Sequence, residues 1–336
     1  MLDALRGVAA VGVVIFHAQT WFGGGYLFLH GDLAVDFFFV LSGFVIEHAY
    51  GHRLALPRGG AAFARTRILR LYPLLVFGTV VGIAVYLLRN HALGLPLDRQ
   101  VIADCLASLI PFPALWRDAL FPVDPAVWSL FWELVVNFGF ALVLYRMKSP
   151  ALVVFAVALA AMLIVKSVAA GGLDFGPYRT DWAFGGVRAF YGFIVGMLLL
   201  RRVRSYPQAA RWSHIWVVIF VIAMLSANPP RGIWSTGYEL LVVILVNPMI
   251  VLFAARSAPI VPRIEAWSGA MSYPLYVIHA PILLVVGGVL ARTHATAYLP
   301  KWLIGLMIVV ILVGLADALN RWFDVPVRRY LGRRLA

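Results

Sequence analysis

Cysteine is nearly absent from this sequence: Cys105 is the single one in 336 residues. That excludes an intrachain disulfide framework and any cysteine-based zinc site. Charge is scarce as well, at 13% of residues against about 25% in an ordinary soluble domain. Acidic residues are the scarcer kind, 15 against 28 Lys and Arg, which leaves a formal net charge of +13. A nucleic-acid binder of this basicity needs a charged face on a soluble domain, whereas here the basic residues sit in short clusters between apolar runs. Walker, G-x-S-x-G and H-E-x-x-H motifs are missing, as are long linkers, low-complexity tracts and a convincing repeat. What is abundant is apolar: 62% of residues are hydrophobic, 14% aromatic, and the mean hydropathy is +0.89. A water-soluble fold of this size cannot hide that much apolar surface, and a disordered chain would not carry it. The class is therefore an all-α, polytopic membrane protein.

A spanning helix needs roughly 20 apolar residues. Ten runs approach this, at 5–22, 33–50, 68–88, 127–146, 150–169, 186–200, 213–227, 239–255, 268–291 and 302–323, the sixth and seventh being short. Val101 to Pro113 is too short and Pro-broken to cross and reads as a surface or re-entrant element. The first run lacks an A-x-A-like cleavage site and is expected to stay as a signal anchor. One alternating set of connections holds sixteen basic residues, including Arg53, Arg65, Arg67, Arg146, Arg201, Arg204, Arg211, Arg328 and Arg329; the opposite set holds eight, including Arg117 and Arg188. The positive-inside rule puts the richer set, and with ten helices both termini, in the cytoplasm. The chain is expected to be one membrane-embedded domain, 1–336, without an appended soluble domain, in the inner membrane.

Ionisable side chains inside a span are costly unless paired or facing a cavity, so each is a candidate site residue. Lys166 lies near a helix end and can snorkel; Glu47, His48 and Arg321 lie near the basic boundary, where water can reach them; Asp317 reads either way. Arg6 and His17 are 11 residues apart in the first run. That is a rise of about 16.5 Å and a rotation only about 20° past three turns, so they share one helix face. Asp36 lies about one turn into the second run and Glu133 about two turns into the fourth, both approached from the outer side. Either carboxylate could fix the His17 tautomer and raise its basicity. Taken alone, His17 could equally be an interhelical hydrogen-bonding histidine; with Arg6, Asp36 and Glu133 beside it, chemistry is favoured. Arg67 and Arg70 share a face at the start of the third run, level with Arg6, and three guanidiniums there could clamp a phosphate-bearing ligand. Gly23-Gly24-Gly25 reads as a flexible outer loop, and Ser42 has no base in obvious register.

These segments resemble the acyltransferase 3 family of integral-membrane acyltransferases. Leu2-Asp3-Ala4-Leu5-Arg6-Gly7 with His17 resembles its R-x10-H first helix, and Val35-Asp36-Phe37-Phe38-Phe39 through Gly43-Phe44 its second signature. Arg67-Ile68-Leu69-Arg70-Leu71-Tyr72-Pro73 is similar to its R-x-x-R segment, Trp128-Ser129-Leu130 with Glu133 to W-S-L-x-x-E, and Ser272-Tyr273-Pro274-Leu275-Tyr276 with His279 to S-Y-x-L-Y-x-x-H. Phe323-Asp324-Val325-Pro326-Val327-Arg328 resembles its acidic-x-Pro-basic tail. Leu134-Val135-Val136 departs from the polar residues that many relatives carry after the glutamate. The resemblance implies transfer of an acyl group, usually acetyl from acetyl-CoA, to a hydroxyl of an extracytoplasmic glycan, a lipid-linked saccharide or another small acceptor. Donor phosphates would meet Arg6, Arg67 and Arg70, with Tyr72 completing the set, and no metal is called for. His17 would be base or acyl carrier, held by Asp36 or Glu133, and His279 would stabilise the oxyanion or position the acceptor. The rival class is a transporter or flippase, which ten spans with charges at mid-depth would also suit. No nucleic-acid partner is expected; a homo-oligomer is allowed.

Overall fold

A computed structural model describes residues 1–22, 27–203, 213–257, 259, 261–293 and 300–334. Gly23-Gly24-Gly25, Arg204 and Arg211 lie outside the described residues. Its helices are α1 (Leu2–Phe22), α2 (Ala34–Tyr50), α3 (Gly59–Ala92), α4 (Arg99–Leu109), α5 (Val127–Leu142), α6 (Ser149–Ala170) and α7 (Trp182–Val203). They continue as α8 (Ser213–Ser226), α9 (Ile233–Leu241), α10 (Asn247–Ala255), α11 (Pro262–Thr293), α12 (Lys301–Leu319) and α13 (Val325–Arg334). The π-helical turns Val242–Val246 and Asn320–Asp324 join α9 to α10 and α12 to α13 into two continuous rods. No strand is present among the described residues.

Each of the ten expected apolar runs coincides with a helix, and eight are long and apolar enough to cross a membrane. The two shorter ones are Val127–Leu142 and Ile215–Ser226. The expected order of lengths is therefore corrected for two runs. The sixth begins at Trp182 and reaches 22 residues. The fourth stops at 16, because Val143 leaves helical geometry and a 3-10 turn, Leu144–Arg146, follows. The Val101 segment forms α4, opened by Asp98, whose carboxylate accepts from the Gln100 and Val101 amides at 3.0 and 2.8 Å. Its exposed face carries Ile102 and Leu106, as suits an element at the membrane surface.

Packing divides the helices into inner and outer ones. The apolar stretches of α2 and α7 are each 61% buried, whereas those of α6 and the α12–α13 rod are 28% buried. The second pair therefore turns Val154, Val157, Val165, Val310 and Ile311 outward, towards lipid. Lipid gives helices no hydrophobic drive to associate, so close packing must hold the centre. Gly43 of α2 meets the backbone of Phe193, and Gly196 of α7 meets the backbone of Val40, so a Cβ at either would overlap the facing helix. α1 packs along α11 as extensively as α2 packs along α7. At the arginine-rich end the N-terminal ammonium of Met1 pairs with Glu265, and Arg201 pairs with Glu47 at 2.7 Å. Glu47 is thus a buried, paired carboxylate, not a solvated one.

Candidate functional site

A cavity with a volume of about 120 Å³ is built by α1, α2, α3, α5 and α11 and takes in the arginine-rich end. Arg6, Arg67, Arg70, Ser42 and Glu133 line it, as do Phe38, Ser129 and Tyr276, which lie farther along their helices from the arginine-rich end. The helical register explains the arginine cluster: Arg67 and Arg70 are three residues apart on α3, which begins nine residues earlier than the apolar run and so carries them as helical residues. Arg67 is buried, with its guanidinium 5.3 Å from the Tyr50 ring and 5.6 Å from the Phe63 ring. Its Nε has no hydrogen-bond partner. Arg6 is held by Asp3 at 3.3 Å. Three guanidiniums facing one carboxylate, with a buried N–H left over, suit an anionic ligand. Glu133 accepts from Ser42 Oγ at 3.4 Å. Tyr72 is not part of this set: it is exposed and donates to the Leu109 carbonyl at 3.1 Å, tying α3 to α4, while Tyr273 lines the cavity.

Three turns along α1 from Arg6, His17 meets His279 of α11, with ring centroids 5.0 Å apart. Each Nδ1 faces a backbone carbonyl of its own helix, His17 to Val13 at 2.9 Å and His279 to Tyr276 at 2.6 Å. A carbonyl only accepts, so each Nδ1 carries the proton and each Nε2 of a neutral ring keeps its lone pair. His279 is fully buried and its Nε2 has no partner. Pro274 and Pro281 bracket it within α11. The Tyr276 ring lies 5.4 Å from His279, so the inner end of the cavity abuts the histidine pair.

The expected carboxylate clamp on His17 is corrected. Both oxygens of Asp36 are taken by Arg188, Nε to Oδ1 at 3.0 Å and Nη2 to Oδ2 at 2.6 Å. Arg188 Nη1 also donates to the Leu173 and Phe175 carbonyls at 3.0 and 2.9 Å, and its guanidinium stacks over Trp128 at 5.3 Å. Glu133, the other expected partner, lies in the arginine cavity. A buried arginine outranks a neutral imidazole for a carboxylate because the ion pair offsets desolvation of both charges. Sequence reasoning counted Arg188 as loop charge, although it lies inside the expected sixth run, and that position was the available signal that it needs a partner. Lys166 reaches over the Phe175 and Phe184 rings, 5.6 and 5.3 Å from their centroids.

Outside the spans, Asp124 is buried just ahead of α5. Burial pushes its carboxyl up to about 7, against a partial offset from the Ala126 N–H that it accepts at 3.0 Å.

A family model described as an acyltransferase domain matches residues 1–321. The chain belongs to the acyltransferase 3 family. The family makes it a membrane-embedded acyltransferase. Among curated relatives, the similarity is 40% identity over 158 residues with "Protein 2 in picA locus" of Rhizobium radiobacter, covering 42% of this chain and 80% of that protein. It is 22% identity over 364 aligned positions with "O-acetyltransferase OatA" of Staphylococcus aureus, covering 98% of this chain. The chain spans 57% of the OatA length. No solved structure matches it.

Proposed function

We propose that this protein moves an acyl group, acetyl foremost, from acyl-CoA to a hydroxyl of an extracytoplasmic carbohydrate or other small acceptor. The observation that carries the reading is the cavity itself: it runs from Arg6, Arg67 and Arg70 to Tyr276, whose ring abuts His279 and, through it, His17. Positive-inside orientation would turn the arginine end to the cytoplasm, where acyl-CoA is made. The phosphates would then bind the three guanidiniums, with the orphaned Arg67 Nε–H as a ready donor. The thioester arm would extend inward, and the rise of about 16.5 Å from Arg6 to His17 is of the order of its reach.

The Nε2 lone pairs of His17 and His279 supply the base. An acceptor hydroxyl arriving from the far side gives its proton to one of them as its oxygen attacks the thioester carbon. His17 is half-buried and His279 fully buried, which makes His17 the one accessible to an acceptor. The name O-acetyltransferase borne by OatA supports oxygen as the acylated atom and acetyl as the group. The test is to incubate purified protein with labelled acetyl-CoA and a mixture of envelope saccharides. Release of CoA with label appearing on saccharide is expected; intact acetyl-CoA after prolonged incubation would contradict the donor assignment.

A further inference from the structure

Two hydroxyls close the inner end of the arginine cavity. Tyr276 Oη and Ser129 Oγ lie 2.6 Å apart, and both residues line the cavity while being 8% and 4% exposed. The Ala126 carbonyl is their further acceptor, at 3.2 Å from Ser129 and 3.4 Å from Tyr276. One proton therefore joins the hydroxyls to each other, and the second makes only a long bond outward, so an incoming oxygen can recruit it. Phe38, Phe39 and Leu130 line the same cavity and keep its wall apolar, which strengthens a hydrogen bond to developing negative charge. Tyr276 also lies three residues before His279, so phenol and imidazole face the same side of α11. Its backbone carbonyl holds the His279 Nδ1–H, which couples the two groups in space.

We infer that the Tyr276 hydroxyl, supported by Ser129, binds the oxyanion of the transfer, an inference that rests on the cavity being the acyl-thioester site. The acceptor hydroxyl gives its proton to a histidine Nε2 while its oxygen bonds to the thioester carbon. The carbonyl π pair moves onto oxygen, where the Tyr276 O–H holds it while the Ser129 O–H, donated to Tyr276 Oη, supports that bond. Collapse re-forms C=O and breaks C–S, and the histidine returns its proton to the leaving thiolate. Ester and free thiol are the products, and no further reactant is consumed.

Tyr276→Phe is the decisive variant, because it deletes one oxygen while keeping the ring contacts and the carbonyl that orients His279. With acetyl-CoA as donor, kcat for CoA release is expected to fall roughly 100- to 1,000-fold. KM for acetyl-CoA should stay within about threefold, and the shape of the pH–rate profile should not change, since a donor is lost and not a base. Ser129→Ala should lower kcat by about 10-fold, since it removes only the hydrogen bond that supports the Tyr276 donor. A folded Tyr276→Phe protein with kcat within about twofold of wild type overturns the inference and leaves the donor site standing. A lower folded yield with unchanged turnover per folded molecule assigns the hydroxyl to packing and also overturns it. Failure of the wild-type protein to release CoA overturns the underlying donor reading instead.

Discussion

Asp36 and Arg188 form a two-point ion pair across α2 and α7, with both side chains 2% exposed. The same guanidinium holds the carbonyls of Leu173 and Phe175, so one buried arginine joins two helices and the connection between α6 and α7. Removing one partner leaves the other charge buried and unpaired, which costs about 3–5 kcal/mol. Arg188→Ala and Asp36→Ala should each lower the unfolding temperature in detergent, and an apolar double replacement, Asp36→Leu with Arg188→Met, should recover much of the loss. Unchanged melting of Arg188→Ala would show that the pair does not hold the fold.

The arginines at the cavity mouth should act on donor binding. A charged hydrogen bond contributes about 1.5–3 kcal/mol, so Arg67→Ala should raise KM for acetyl-CoA about 10- to 100-fold with kcat largely kept. Tyr72→Phe should leave KM unchanged, since that hydroxyl binds the Leu109 carbonyl outside the cavity. Initial rates of CoA release over a range of donor concentrations check both; an unchanged KM in Arg67→Ala would remove the residue from the phosphate site.

Contact between α2 and α7 depends on missing side chains. Gly43 and Gly196 touch backbone of the facing helix, where a methyl group forces separation. Gly196→Ala should destabilise the protein by about 1–3 kcal/mol, read as a lower unfolding temperature, whereas Gly237→Ala, whose added Cβ meets nothing, should not.

Asp124 gives a pH signature. Folded, it keeps its proton up to about pH 7; unfolded, it releases it near the ordinary value of 3.8. The native state therefore binds more protons through that interval, and this group's contribution to stability declines as pH rises across it. Asp124→Asn should flatten the dependence, gaining on wild type more at pH 8 than at pH 4. Equal gains at both pH values in thermal unfolding would show that the carboxyl ionises normally.

Architecture and site differed in how far they could be read from the chain. Each of the ten apolar runs falls on a helix, because bilayer thickness imposes length and composition on each spanning segment separately. Their ends were less legible: α3 starts at Gly59 through a polar, Arg-rich turn that hydropathy discards. Helical period groups Arg67 with Arg70, depth along the first run adds Arg6, and the three line one cavity. The pairings could not be read off. Depth along a helix put Asp36 and His17 at one level, but rotation about the helix axis decides which neighbour a side chain meets, and it turns Asp36 to Arg188 and His17 to His279. Ser129 and Tyr276 stand inside the W-S-L-x-x-E and S-Y-x-L-Y-x-x-H segments, but composition and depth did not single out their hydroxyls, since a hydroxyl inside a span is inexpensive and common.

The central claim is that acyl transfer from CoA takes place at the histidine pair, and His17→Ala tests it most directly. Single-turnover release of CoA from labelled acetyl-CoA, in folded protein that still binds the donor, is predicted to slow by about 100-fold or more. Release at the wild-type rate, with donor binding intact, would contradict the account.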